Sequence, residues 1–332
     1  MSAPVAPDHA GDAGPLGVFV GLTTLDVIHR ARRAPGPDEK MTAERQDLAA
    51  GGPAANAAVV FAALGGRARL ITALGDGPAA SIARADLTAH GVEVVDLAQG
   101  TDLDLGISAI RVDVRTGSRS VLSMDAAAVD LPAPQDPAAL VEGCEVMLLD
   151  GHHPRVATSL AAAAQQAGIP VIIDAGRWKP VMTELLARAS TVIASADFRL
   201  ADGAVPAAPS TSAVPTTPEA MAGTTDAGVQ RATHRYTERA TRWAVTHGAG
   251  AVTWWTDETS GEVDVPAVEA VDTLGAGDAF HGAFTYASVR GPATFADQLA
   301  QAAAVAALRC SVVGPRDWLA LLPERASGAL QT

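Results

Sequence analysis

Residues 270–284 read AVDTLGAGDAFHGAF, and this stretch is the most informative part of the chain. Gly275, Ala276 and Gly277 make a glycine-rich turn, and apolar residues then recur at helical spacing. The pattern predicts a helix that begins at the turn and carries Asp278 in its first turn. The simplest interpretation is a chain turn followed by a capped helix, because acidic residues are favoured at helix N-termini.

A glycine-rich helix start with a carboxylate beside it also has a chemical use. The first N–H groups of a helix bind anions, because no carbonyl group within the helix accepts their hydrogen bonds. Glycine lets the backbone approach a phosphate closely. The carboxylate of Asp278 can then take a proton from a hydroxyl group while the amides stabilise a phosphoryl group in transfer. The stretch therefore favours phosphoryl transfer as the chemistry.

The composition restricts the classes of protein to which the chain can belong. With 332 residues, 48% of them apolar, the chain is long enough for one large α/β domain or two smaller ones. The net charge of −13 argues against binding to nucleic acid or to an anionic membrane, because both need a basic patch. Residues 1–16 have no cationic start and no apolar core, so we expect a disordered tail and not a signal peptide.

The cysteine content indicates a reducing compartment. Cys144 and Cys310 lie far apart in the sequence and form neither a disulfide framework nor a metal-binding cluster. We expect both thiols to be reduced and the protein to be cytoplasmic. The sequence also has no uninterrupted apolar run of the roughly 18 residues that a membrane span needs.

Apolar runs that alternate with helical segments predict a parallel sheet built from βαβ units. We expect strands at residues 17–22, 69–74, 145–149, 170–174, 191–194, 243–246 and 251–256. Helices are expected over residues 79–90 and from near residues 155 and 180. Residues 105–124 contain two alternating runs separated by a turn, which predicts a hairpin. Residues 202–232, dominated by Ala, Pro, Thr and Ser, predict a flexible insertion.

A second motif lies near the start of the chain. Gly51 and Gly52 open the sequence GGPAANA, which leads into an alanine-rich helix and contains Asn56. A pair of glycines before a helix is often no more than a turn. Asp26 follows the first apolar run, and ligands of open α/β sheets bind at such strand ends.

DTLGAGDAF and GGPAANA together resemble the two signatures of the ribokinase-like (PfkB-type) carbohydrate kinases, and Asp26 matches that family's sugar-binding acid. The motifs lie about 220 residues apart and in the family's order. The resemblance implies a three-layer α/β/α sandwich over residues 17–332, with a mostly parallel central sheet and a small β-sheet lid. Residues 27–50 and 103–125 fall where the family builds that lid, and the lid often pairs two subunits, so we expect a homodimer.

The resemblance also implies roles for individual residues. Asp278 matches the general base, and Gly275, Ala276 and Gly277 match the segment whose amides stabilise the transferred phosphoryl group. Details such as GSRSVLSMD are similar to ketohexokinases, in which the residue matching Arg119 reaches the substrate; an exposed hairpin residue is the competing interpretation. The positions that match sugar-binding residues are Asp26, Gly51, Gly52, Asn56 and Arg119.

The resemblance implies ATP as the phosphoryl donor, with Mg²⁺. The sequence THGAG is similar to the family's turn under the nucleotide, although it is one residue short, and it supplies Thr246, Gly248 and Gly250; Ser195 lies at the matching strand end. The NxxE motif that many members carry there is absent. Asp197 is expected to take its place toward Mg²⁺ through water.

Monovalent cation activation, by K⁺ for example, is common in the family. The resemblance places such an ion in the loop at Asp272.

The favoured hypothesis is an ATP-dependent kinase that phosphorylates a primary hydroxyl of a small sugar, a ketose such as fructose or a ribose-like sugar. One alternative is a nucleoside kinase, although the lid segments contain no Phe, Tyr or Trp to stack on a base. A catalytically inactive sugar or nucleotide sensor is a second alternative, because NxxE is missing. A dinucleotide-binding dehydrogenase is poorly supported, since no GxGxxG follows an early strand.

Overall fold

A mostly parallel β-sheet forms the centre of the fold. The computed structural model describes residues 14–124, 129–206 and 240–322. The strands in these ranges are β1 (Leu16–Val20), β2 (Thr24–Ala31), β3 (Arg45–Gly51), β4 (Arg67–Thr72), β5 (Val92–Asp96), β6 (Ile107–Asp113), β7 (Arg119–Leu122), β8 (Val146–Leu149), β9 (Val171–Ala175), β10 (Thr191–Ser195), β11 (Arg242–His247), β12 (Gly250–Thr256) and β13 (Ser260–Val263).

The helices cover both faces of the central sheet. They are α1 (Pro53–Ala63), α2 (Pro78–Ala89), α3 (Pro137–Val141), α4 (Pro154–Gln166), α5 (Met182–Leu186), α6 (Ala276–Arg290) and α7 (Phe295–Cys310), followed by a 3₁₀ helix at Asp317–Leu321. Within the described ranges, no helix has both the length and the apolar character that crossing a bilayer requires.

The central sheet has the strand order β13-β12-β11-β10-β9-β8-β1-β4-β5. All its pairs from β11 to β5 are parallel, and β12 and β13 add an antiparallel edge. Every residue of β8 and β9 is buried, as expected for parallel strands that are covered on both faces. The predicted mostly parallel α/β sheet is confirmed.

Two apolar cores flank the sheet because successive side chains of a strand point to opposite faces. Phe19 and Leu148 belong to the core beneath α1, α6 and α7. Val18 and Leu149 belong to the other core, which α4 and α5 cover. Helices on both faces of one sheet give the three layers that the resemblance implied.

A second, four-stranded sheet has the order β3-β2-β6-β7 and is built from the segments predicted to form the lid. β2 pairs antiparallel with β3 and parallel with β6, and the predicted hairpin at residues 105–124 is confirmed as β6 and β7. Ile28, Ile110 and Val112 form a small core against Leu274, in the loop before α6. One face of this sheet therefore packs over the glycine-rich turn.

Several predictions concern residues outside the described ranges. The flexible insertion at 202–232 lies there except for residues 202–206. Most of the predicted tail, residues 1–13, also lies there. Leu16, the last residue of that predicted tail, pairs with Arg67 in the sheet.

Candidate active site

The start of α6 has the geometry that an anion site requires, and anion binding there stays a prediction. Gly275 adopts φ 71°, a left-handed conformation that glycine accepts without steric cost, and it turns the chain into the helix. The Ala276 N–H makes only a long contact of 3.4 Å with the Thr273 carbonyl. No atom lies within 4 Å of the position that a Cβ of Gly277 would occupy, so this first turn faces open space. Its N–H groups are available to an anion.

Asp278 lies in the first turn of α6, and its environment makes it a stronger base than an ordinary aspartate. Asn56 Nδ2 donates a hydrogen bond to Asp278 Oδ2 at 2.7 Å. Burial and the negative charge of Asp174 raise the pKa of Asp278 to about 6, against the opposing effects of Asn56 and His281. The structure thus brings together the acid of one predicted motif and the amide of the other.

Both glycines of the second motif are needed where β3 meets α1. A Cβ on Gly51 would lie 2.2 Å from the carboxyl group of Asp26 on the paired strand. Gly52 has φ 100°, and a Cβ there would lie 2.2 Å from the Leu22 carbonyl oxygen. The glycines therefore let β2 and the start of α1 approach each other closely.

Asp26 closes one side of the cleft in front of Asp278. Its side chain accepts a hydrogen bond from Thr24 Oγ1 at 2.8 Å. Burial raises the pKa of Asp26, although hydrogen bonds from Thr24 and Ser108 oppose this effect. Asp26, Asn56 and Gly275 line one small cavity. Of the predicted sugar-binding residues, Asp26 and Asn56 thus line this cavity next to Gly275, and Gly51 lies directly beside Asp26.

Arg316 is a member of this site that the sequence did not reveal. It donates hydrogen bonds from Nη1 to Asn56 Oδ1 at 3.0 Å and from Nη2 to the Ala50 carbonyl at 2.8 Å. Its charge pairs with Asp86 at 3.0 Å. Burial would raise the pKa of Asp86, but His90 and Arg316 hold it at about 2. Arg316 therefore fixes the orientation of the Asn56 amide, and Asn56 in turn contacts Asp278.

Asp150, at the end of β8, is a second residue that the sequence did not reveal. This buried carboxylate accepts hydrogen bonds from three backbone N–H groups, those of Leu22 at 2.9 Å, Ala54 at 3.3 Å and His152 at 2.8 Å. The charge and hydrogen bonds of His152 lower the pKa of Asp150 despite its burial. Asp150 joins the end of β1 to the first turn of α1 and so supports the second motif from behind. The sequence DGHHP marks only a strand end.

The predicted nucleotide residues lie together at the carboxyl ends of neighbouring strands. Ser195 of β10 is paired with Thr246 of β11, and Gly248, with φ 65°, and Gly250 form the following turn into β12. His281 of α6 packs over this edge, with Nε2 3.5 Å from Asp174 Oδ1 at the end of β9. The carboxyl ends of β10 and β11 thus lie beside the start of α6. A phosphoryl donor bound at these strand ends would be next to the candidate anion site. That these residues contact the nucleotide stays a prediction.

Arg119 contacts the loop before α6. This exposed β7 side chain donates from Nη1 to the Thr273 carbonyl at 3.3 Å and to Thr273 Oγ1 at 3.4 Å. The Gly117 carbonyl accepts a hydrogen bond from Thr273 Oγ1 at 3.0 Å. The lid hairpin is therefore attached to the loop that precedes α6, called the anion-site loop below. The contact of Arg119 with a substrate stays a prediction.

The two residues predicted to bind metal ions, Asp197 and Asp272, lie in different environments. Asp197 is exposed in the turn after β10, where a water-mediated contact with Mg²⁺ stays a prediction. Asp272, by contrast, is fully buried, and its Oδ2 atom lies 2.8 Å from Arg30 Nη2 and 3.1 Å from Arg309 Nη2. Two guanidinium groups already neutralise this carboxylate, so the expectation of a monovalent cation at Asp272 does not fit the residues present.

Comparison with known proteins identifies the family. The family model described as pfkB family carbohydrate kinase matches residues 16–320, and the chain belongs to this family. The resemblance drawn from the two motifs is confirmed.

Individual relatives show how far the similarity extends. The ATP-dependent ribose-1-phosphate kinase of Halopiger xanaduensis is 30% identical over 160 residues, which are 47% of this chain and 53% of that protein. The chain thus spans about half the length of this curated relative. A candidate ribokinase from Agrobacterium tumefaciens is 26% identical with a TM-score of 0.72, over 92% of this chain and 94% of that one. Arabidopsis thaliana ribokinase, solved with ribose and ATP, shares the fold at 22% identity, with a TM-score of 0.67 over 94% and 99% of the chains.

Proposed function

We propose that this protein transfers the γ-phosphoryl group of ATP to a primary hydroxyl of a small sugar. The observation that carries the proposal is the position of Asp278, in the first turn of α6 and in contact with Asn56. A base with a pKa of about 6 lies between an anion site and a polar cleft that Asp26 helps to line. Family membership supports the same chemistry.

The reaction uses each part of the site. Asp26, Asn56 and the backbone at Gly51 and Gly52 orient the sugar so that one hydroxyl points toward Asp278. Asp278 takes the proton of this hydroxyl as its oxygen attacks the γ-phosphorus, and the bond to the β-phosphate oxygen breaks. The N–H groups of residues 275–277 stabilise the charge on the phosphoryl oxygens during transfer. Holding both reactants in line supplies much of the rate.

ATP is placed along the carboxyl edge of β10 and β11, next to Ser195 and Thr246. Mg²⁺, when bound, neutralises charge on the phosphates of ATP and needs few protein ligands, since it keeps several of its waters. Within the described residues no group of three or more His, Cys, Asp or Glu side chains could hold a metal ion, so the site fits an ion held mainly by phosphates and water, which would also relieve the repulsion between Asp174 and Asp278. Asp197, in the turn after β10, is the further acidic group that could reach it through water.

A sugar is favoured over a nucleoside as the acceptor. The lid strands β2, β3, β6 and β7 contain no Phe, Tyr or Trp on which a base could stack. The polar groups that line the cavity, among them the Asp26 carboxylate, the Asn56 amide and the Arg316 guanidinium group, recognise hydroxyl groups, and the aromatic Trp318 in its lining is buried. A ketose such as fructose or a ribose-like sugar fits this chemistry. Intact Asp278 and the open anion site argue against a catalytically inactive sensor.

The outer face of the lid favours a homodimer. Leu48 and Leu122 are exposed on the outer face of the lid strands, with 76% of the Leu122 surface in contact with solvent. A patch of this kind on a small sheet is typical of an interaction site, and a second copy of the chain offers the complementary surface. We place the enzyme in the cytoplasm, where ATP is available and where the free Cys144 and Cys310 stay reduced.

A substrate panel tests the proposed function. ADP release from Mg-ATP is measured with ketoses, aldoses, ribose-like sugars, their phosphates and nucleosides. We expect release that depends on one class of sugar and is lost in Asp278→Asn. The matched control is Asp297→Asn, which changes an acidic residue in the first turn of α7, and it should keep the activity. Binding of ATP and sugar without ADP release would replace this proposal with the sensor.

A further inference from the structure

The loop that leads into the anion site is fixed by the side chain of Asp272. Its Oδ1 atom accepts a hydrogen bond from the Leu274 N–H at 3.1 Å, directly before the turn at Gly275. Its Oδ2 atom accepts one from the Gly314 N–H at 3.2 Å, so the carboxylate also holds the segment after α7. Asp272 is 0% exposed. A buried carboxylate in this position needs a cation to balance its charge.

Arg309, at the end of α7, supplies one positive charge and binds the surrounding carbonyl groups. Its Nη2 atom donates to Asp272 Oδ2 at 3.1 Å. Its Nη1 atom donates to the Val312 carbonyl at 3.1 Å and more weakly to the Asp272 carbonyl at 3.4 Å. A carboxylate with converging carbonyl oxygens is the kind of ligand set that a hard cation binds. Here the guanidinium group, only 2% exposed, takes that place.

Arg30 brings a second positive charge from the lid. Its Nη2 atom lies 2.8 Å from Asp272 Oδ2, and its Nε atom donates to Asp47 Oδ2 on β3 at 3.1 Å. Arg30 is also 2% exposed. Guanidinium groups as a class stay protonated in proteins. A free cation at the same carboxylate would meet two fixed positive charges in a poorly solvated place, where their repulsion is strong.

We propose that Arg309, assisted by Arg30, takes the place of a monovalent cation at the anion-site loop, so that phosphoryl transfer by this protein is independent of K⁺. The inference rests on the proposed function, because the loop matters through the amides that it positions. Arg309 is a positioning residue in this scheme. It acts through Asp272 on Leu274 and hence on the turn at Gly275.

Thermal unfolding without substrates tests the cation site apart from activity. The melting temperature is measured in potassium chloride and in tetramethylammonium chloride at equal ionic strength of about 0.1 M, so that screening is the same. We expect the same value in both salts, because no site takes up the ion. A saturable rise in melting temperature that is specific to K⁺ would show that the ion binds the folded chain. If an Asp272→Asn variant that folds shows the same rise, the ion binds at another site. A rise that Asp272→Asn abolishes overturns the inference.

Kinetics test the functional half of the inference once a sugar substrate is known. The parental rate of ADP formation should agree within about twofold in K⁺, Na⁺ and tetramethylammonium at constant ionic strength. Activation by K⁺ of about tenfold or more would contradict the inference. Silence in every salt, with unchanged melting temperatures, would instead count against the proposed function alone.

Variants of Arg309 test its positioning role. Arg309→Met should lower kcat by about tenfold or more with a smaller change in the KM of the sugar, because the amides act mainly on the transition state. Arg290→Met is the matched control, since Arg290, at the far end of α6, makes a surface ion pair with Glu145 and otherwise donates to the carbonyl of its neighbour Val289. If Arg309→Met does not fold, Arg309→Lys keeps a positive charge and should fold with a partly restored kcat. A folded Arg309→Met enzyme with parental kcat would exclude the role.

Discussion

The carboxyl group of Asp278 lies where a negative charge is disfavoured. Burial and the charge of Asp174 raise its pKa to about 6, and the contact with Asn56 only partly offsets this. A base with such a pKa is mostly ionised at neutral pH and binds a proton more strongly than an ordinary aspartate. The properties that suit Asp278 to proton removal therefore also cost stability in the folded protein.

The cost predicts a stability difference that depends on pH. In the unfolded chain the carboxyl has a pKa near 3.9. Because the folded pKa is higher, ionised Asp278 destabilises the folded state above pH 6, and this penalty disappears as the pH falls through 6 toward 4. We expect Asp278→Asn to melt at a higher temperature than the parent at pH 8, to keep about half of this advantage at pH 5 and to lose nearly all of it toward pH 4. A difference that stays constant from pH 8 to pH 5 would contradict the raised pKa.

Site residues that belong to a short local motif could be predicted from the sequence. Site residues that depend on partners far away in the sequence could not. Asp278 and Gly52 belong to local motifs. Arg316 contacts Asn56 across 260 positions in the sequence, and Asp150 accepts a hydrogen bond from Leu22 across 128. These pairings depend on which strands become neighbours, and no short pattern records that. The sequence around Arg309 likewise indicated no more than an apolar helix.

At the scale of elements, the start of α1 depends on a backbone conformation that only glycine adopts easily. Gly52 follows β3 as the N-cap of α1, has φ 100° and lies against the Leu22 carbonyl. Pro53 then occupies the first helical position, where its missing N–H costs nothing. The sequence therefore sets both the turn and the direction of α1, and with it the position of Asn56.

Substitution at this turn should damage both the fold and the site. Gly52→Ala introduces a Cβ 2.2 Å from the Leu22 oxygen in addition to backbone strain. We expect a lower melting temperature and a loss of sugar-dependent ADP release. Gly168→Ala is the matched control, because Gly168 also has a positive φ, 70°, but nothing lies within 4 Å of its Cβ position. If both variants lose equal stability and activity, close packing at Gly52 is not the cause.

The strands of the central sheet were largely predictable and the pairing of the lid was not. β8 and β9 are buried on both faces, so they appear in the sequence as continuous apolar runs. In the lid, β2 pairs in parallel with β6, whereas the sequence indicated only the hairpin of β6 and β7. The pairing of β2 with β6 buries Ile28 and Ile110 together against Leu274, a contact that exists only in three dimensions.

At the scale of the whole molecule, charged side chains connect the lid sheet to the loop before α6. Asp47 of β3 accepts from Arg30 of β2 at 3.1 Å, and Arg30 lies 2.8 Å from Asp272 in the loop before α6. The outer face of the same sheet carries the exposed Leu48 and Leu122. We infer that the lid serves as both a cover for the cleft and a surface for a second subunit.

A charge on the outer face of the lid should separate the subunits. Leu122→Asp places a carboxylate at a side chain that is 76% exposed, so the fold of the monomer should be unaffected. We expect sedimentation analysis to show a dimer for the parent and a monomer for this variant. Leu321→Asp, at a 59% exposed position in the 3₁₀ helix and outside the lid, is the control and should remain dimeric. A monomeric parent would contradict dimerisation through the lid.

The most direct test of the proposed catalysis compares the turnover of Asp278→Asn with that of the parent on the best sugar from the panel. Loss of a general base typically lowers the rate by about 10²- to 10⁴-fold, and we expect kcat to fall in this range with little change in the KM of ATP. Asp297→Asn should keep the parental kcat. If Asp278→Asn retains more than about a tenth of the parental turnover, Asp278 is not the general base.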